Sequence, residues 1–143
     1  MSFHYRIGAI AAANPDAASA FASRTAAAAS HPMLAVLAPV SRIASKAEEA
    51  ASLLRLSDEC VRVLGVTVPT PGHILVRLQS VASHDVECTI EFDVAIRRAW
   101  VATVLGEAKT PLELSHNTLA VAIPTFGTAA VLVEVAGLTT GPA

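Results

Sequence analysis

Glu87, Glu91 and Asp93 recur at even spacings within DVECTIEFDVAIRRAWVATVLGE, residues 85–107. An extended backbone would therefore carry all three on one side. Two carboxyl groups about 5–5.5 Å apart are the equipment of retaining glycoside hydrolysis. Residues two apart on a strand are separated by roughly 6.6 Å, so Glu91 and Asp93 pass a coarse distance test. The residues between them point to a simpler reading. Val86, Cys88, Ile90, Phe92 and Val94 occupy the opposite phase, which is the alternation of a sheet with one dry and one wet face.

The other chemistry-bearing residues are scattered. His4, His31, His73, His84 and His116 form no HExxH phrase, and Cys60 and Cys88 have no metal-ligand spacing. Cys88 falls in the apolar phase between Val86 and Ile90, where a thiol without a basic partner is inert. There is no nucleophile-elbow phrase for a catalytic serine and no glycine-rich phosphate cradle. Two side chains stand out as able to face a sugar or a partner. Arg77 projects away from Ile74, Val76 and Leu78, and its planar fork suits a carboxylate or a hydroxyl. Trp100 is the only tryptophan and offers a face for stacking, although packing is the commoner use of a single tryptophan. Arg97 and Arg98 are adjacent, so a strand would send them to opposite sides.

The elements that must position these residues are mostly short strands. Apolar runs or alternation predict strands over 53–56, 61–68, 73–81, 86–94, 97–105, 112–114, 118–123 and 129–135. Breaks at Pro69-Thr70-Pro71-Gly72, Ser83-His84-Asp85, Pro111, Asn117 and Pro124-Thr125-Phe126-Gly127 fit turns between them. Upstream, Pro15 and Asp16 introduce an alanine-rich stretch to about Ala29 with helical propensity, closed by His31-Pro32. Residues 3–10 and 33–37 could add short strands, and 41–51 reads as a surface loop or helical turn. The expected fold is mainly β: one antiparallel β-sandwich domain over 1–143, irregular or partly helical through 1–51. Crossover helices, which a parallel sheet requires, have no room in the second half.

Composition agrees. Hydrophobic residues make up 53% of the 143 and aromatics only 4%, so the core rests on Val, Leu and Ile, residues that suit packed sheets. Ten Lys and Arg against twelve Asp and Glu give a net charge of -2, which leaves no basic footprint for nucleic acid. No leader sequence and no membrane-spanning run is read from the N-terminal residues. A cytoplasmic protein is the expectation.

Three blocks give the sequence a family likeness. GHILVRLQS (72–80), IRRAWVATVLGE (96–107) and LAVAIPTFGTAAVLV (119–133) resemble, in order and spacing, the C-terminal β-sandwich region of α-mannosidase-like glycoside hydrolases of family 38. Fainter similarity extends to residues 3–5, 31–36 and 52–68. Phe126-Gly127-Thr128 departs from the family's usual Phe-acid-Ile-x-Thr wording. The resemblance implies that nucleophile, acid/base residue and divalent-metal ligands belong to a catalytic domain outside these residues. It therefore implies no catalytic residue, metal ligand or cofactor within this chain, which would be a fragment or split-gene product.

The expected role is a support or interaction module in carbohydrate metabolism, paired with an α-mannosidase catalytic domain or with further copies of itself. In the first alternative, the chain is a subunit lending Arg77 to a composite hydrolase active site. In the second it is a carbohydrate-binding module using Trp100.

Overall fold

The computed structural model describes residues 9, 11, 14–30 and 52–136. The expected strand at 33–37 and the loop at 41–51 lie outside them, as do all but residue 9 of the strand expected at 3–10. The described chain runs as a helix, α1 (Pro15–Ser30), then eight strands: β1 (Leu54–Leu56), β2 (Val61–Thr67), β3 (His73–Ser80), β4 (Val86–Phe92), β5 (Ile96–Ala102), β6 (Ala108–Leu112), β7 (Thr118–Ile123) and β8 (Thr128–Val135). They form two antiparallel sheets, one of three strands in the order β1-β4-β7 and one of five in the order β2-β3-β8-β5-β6. The mainly β fold with a helical N-terminal segment is as the sequence implies.

The core lies between the sheets because each contributes one apolar phase. Val86, Cys88, Ile90 and Phe92 of β4, with Leu119, Val121 and Ile123 of β7, face Val76 and Leu78 of β3, Val131 and Val133 of β8, and Ala99 of β5. Burying one such Val, Ile or Leu side chain stabilises by about 1.5–3 kcal/mol. Glu87 and Glu91, in the opposite phase of β4, are exposed. The strand stops at Phe92, two residues short of expectation, and Val94 still packs against the core.

β6 differs from expectation. The sequence suggested a strand at 112–114 with Pro111 as a break, whereas β6 covers Ala108–Leu112 and Pro111 pairs with Trp100. A proline fits there because β6 is an edge strand, where a missing N–H costs no ladder bond on the open side.

Helix α1 begins as its capping residues dictate. The Asn14 side chain accepts the Ala17 N–H at 2.7 Å, Pro15 takes the first helical position and Asp16 adds an acid in the first turn. Ala20 is its one buried apolar group among those described, so the helix is held largely by polar contacts. Asp16 accepts the Ser83 N–H at 2.9 Å, Arg62 donates to the Ser23 hydroxyl at 2.8 Å, and Arg24 pairs with Glu59 at 3.1 Å. Among the described residues no helix is long and apolar enough to cross a membrane.

Candidate functional site

The outer face of the five-stranded sheet carries both residues singled out from the sequence. Leu75, Arg77 and Gln79 of β3 point away from the main core, beside Leu132, Ala130 and Thr128 of β8 in register. Trp100 and Ala102 of β5 follow on the other flank of β8, opposite Leu132 and Ala130. Leu75, Ala102, Ala130 and Leu132 are buried there and make a second, smaller core with Trp100 packed against it. Trp100 thus spends part of its surface on protein packing, and its orientation, open in the sequence, is outward from the main core.

Residues 103–107, between β5 and β6, close this second core. Gly106 adopts φ +96°, and an added Cβ would stand 3.3 Å from Leu75 and 3.8 Å from Pro69. The loop therefore folds back over the sheet to the β2–β3 turn. The Gly106 N–H donates to the Thr103 carbonyl at 2.9 Å, and the Glu107 N–H to the Thr103 hydroxyl at 3.1 Å. This explains why the strand expected over 97–105 ends at Ala102.

Arg77 fastens the loop. Its Nε donates to the Val104 carbonyl at 2.7 Å and its Nη1 to the Thr67 hydroxyl at 3.2 Å. One guanidinium joins the loop to β2, a geometry that suits a planar fork with several fixed donors better than an ammonium. The loop presents Val104 and Leu105 to solvent, Leu105 at 81% exposure. A shallow depression of about 260 Å³ is lined by Arg98, Trp100, Pro111 and Leu114 among others, none of them in the loop. Arg97 and Arg98 are both exposed, because the β5–β8 register shifts between Ile96 and Arg98.

The carboxylate pair lies on the other sheet. Glu91 sits in β4 opposite Arg55, and Asp93, past the strand end, pairs with Arg55 at 3.7 Å. Both acids are exposed. A second depression, of about 300 Å³ beside β7, is lined by Glu113 as its one acid.

Sequence reading missed two small polar clusters, which join segments far apart in the chain. Asp16 accepts from the Ser83 N–H and hydroxyl and lies 3.3 Å from His84 Nδ1. The Ser83 backbone N–H, then its hydroxyl, hold the Asp16 carboxyl below its ordinary pKa. Ser83 donates to the aspartate, not to the histidine, so the trio docks the helix and does not activate a nucleophile. Asp85 accepts the N–H and hydroxyl of Thr125 at 2.8 and 2.9 Å, and these bonds lower its pKa in turn. No sequence signal foretold either pairing, because 67 and 40 residues separate the partners.

The cysteines are free. Cys88 is buried as its phase requires. Cys60 is half-buried, and burial first, then the charge of Asp58, raises its thiol pKa, which disfavours the nucleophilic thiolate. His73 lies near the Thr70 hydroxyl at 3.2 Å, and His116 occupies a left-handed turn position at φ 57°. Among the described residues no three His, Cys, Asp or Glu side chains gather as a metal site; His4 and His31 lie outside them. No family model, curated protein or solved structure matches the chain.

Proposed function

We propose that this chain is a terminal β-sandwich module of an α-mannosidase-like glycoside hydrolase, supporting or binding the catalytic domain and not performing hydrolysis itself. The observation that carries the reading is where the three resemblance blocks fall. Residues 72–80 fall on β3, 96–107 on β5 with its fastened loop, and 119–133 on β7, the following turn and β8. Though separated in sequence, β3, β8 and β5 lie side by side at the centre of the larger sheet. The exposed, Arg55-flanked setting of Glu91 and Asp93 supports a structural use of those acids. Free Cys60 and Cys88 suit a reducing cytoplasmic setting. Metal chemistry would reside in the catalytic partner.

The test mixes the purified chain with a family 38 catalytic polypeptide lacking its own terminal sandwich. Co-elution and turnover of p-nitrophenyl α-mannoside are then followed. The expected result is no turnover by the chain alone and a one-to-one complex with the catalytic polypeptide. Turnover by the chain alone, or no complex, would overturn the reading. Arg77→Ala lowering kcat within an intact complex would instead favour a shared active site. A saturable shift of Trp100 emission with free mannosides would favour a sugar-binding module.

A further inference from the structure

Helix α1 is joined to the sandwich differently from the strands. Ala20 is its one buried apolar group among the described residues, and Ala26, Ala27 and Ala28 are exposed. A line of polar contacts holds it. Asp16 accepts from the N–H and hydroxyl of Ser83 and stands 3.3 Å from His84 Nδ1, both residues of the β3–β4 connection. About two turns on, the Ser23 hydroxyl accepts from Arg62 of β2 at 2.8 Å, and Arg24 meets Glu59 of the β1–β2 turn at 3.1 Å. The Arg24 and Glu59 side chains are 57% and 80% exposed, and a pair so placed adds little to stability.

The helix also carries its own reasons to be helical. It has 16 residues, is rich in alanine and is capped by Asn14, and such a segment keeps part of its helicity without tertiary support. Docking and helix formation are therefore separable. Against the docked first turn lies Cys60. Its Sγ is 3.9 Å from the Asp16 carbonyl oxygen, and its backbone belongs to the sandwich: the Cys60 N–H donates to Asp58 at 2.7 Å, and the Cys60 carbonyl accepts the Val81 N–H at 2.8 Å. The thiol is thus fixed to the sheets by its main chain and covered on one side by the helix.

We infer that α1 is a detachable arm, and that its release uncovers the Cys60 thiol while the two sheets stay folded. Local opening of this kind draws on segments with few buried apolar contacts. No strand ladder is broken by it, since both sheets are complete without α1. Release also withdraws two influences that raise the Cys60 pKa, burial foremost and the Asp16 charge among the neighbouring acids, so the freed thiol is the more nucleophilic one. Cys88, with no exposure between the sheets, stays shut in the same opening. The chain therefore holds one thiol that reports the helix and one that reports the sheets. The inference stands apart from the mannosidase reading, since the arm needs no catalytic partner.

Alkylation of the full chain by iodoacetamide, resolved by peptide mass, tests it. In the wild type Cys60 should react at least about tenfold faster than Cys88, yet more slowly than in the urea-unfolded chain. Ala20→Gln places a neutral, helix-favouring side chain where the docked helix has no room. It should speed Cys60 several-fold and leave Cys88 unchanged, with no charge added near the thiol. The wild type alone decides the matter if that variant misfolds, because urea dependence scales with the surface an opening exposes. Below the unfolding transition, Cys60 labelling should rise shallowly with urea and Cys88 labelling steeply. Equal urea dependence of the two thiols would overturn the inference, as would Cys60 reacting at its unfolded-chain rate or a folded Ala20→Gln that leaves the Cys60 rate unchanged.

Discussion

Removing the Arg77 guanidinium should release the 103–107 loop without unfolding the sandwich. Arg77→Ala deletes two hydrogen bonds, to the Val104 carbonyl and to the Thr67 hydroxyl. A bond from a charged donor contributes about 1.5–3 kcal/mol when shielded, but both acceptors stand in exposed residues, so water replaces much of the loss. The net cost works out at about 1–2 kcal/mol, or a fall of roughly 3–7 °C in Tm for a chain of this length. Trp100 supplies a local readout, because it is the only tryptophan and packs on the core that the loop closes. Its emission should shift red and become more accessible to iodide, with amide exchange accelerating at Gly106 and Glu107. Arg77→Lys should fall between, since one ammonium on a shorter reach holds one acceptor well and the other poorly. An unchanged Trp100 spectrum together with unchanged loop exchange would refute the fastening role.

Other parts of the fold carry their own tests. Ile90→Ala, at a site with no exposure, should cost about 2–5 kcal/mol in urea unfolding. Asn14→Ala removes the cap of α1 and should cost about 1 kcal/mol, read as lost helical circular dichroism with β signal retained. Asp16 and Asp85 have lowered pKa values, so their contribution is complete above the ordinary carboxylate value of 3.8. It is lost as pH falls from there through the lowered values. Helix docking should therefore loosen in that acid window, and Asp16→Asn should flatten the effect. Phe126 holds φ 51° and is 62% exposed; Phe126→Gly should relieve about 1 kcal/mol of left-handed strain and leave Tm equal or higher.

The sequence revealed most where one face of a strand is dry and the other wet. β4 and β7 alternate cleanly, and their buried sets are those the alternation implies. β3 and β8 were legible as strands, and Arg77 marked the outer side of β3, but the cover over that side was not legible. Ile74–Leu78 and Ala129–Val133 read as apolar runs because both sides are covered, one by the smaller sheet and the other by the folded-back loop. That loop was hidden because Thr103-Val104-Leu105 extends the apolar run of β5, and only Gly106 marks the reversal. Arg77 was legible as an outward-facing group, but its acceptors were not, since 27 residues separate it from Val104. β6 escaped notice because all but its last residue is exposed, which leaves no period to detect.

Inequality between the sheets links these observations. Five strands cannot be covered by three, and the larger sheet's surplus surface meets two different fates. Over β3, β8 and β5 the chain supplies its own cover: the 103–107 loop, held at one point by Arg77 and approaching Leu75 of the second core at Gly106. Over the far half of β2 no described element does so, and valines stand in water at an edge without charge. An exposed apolar rim beside open backbone groups is a liability unless something pairs with it. Within one sheet, then, the same excess of strands is covered by a folded-back loop over β3, β8 and β5, and by no described element over the far half of β2.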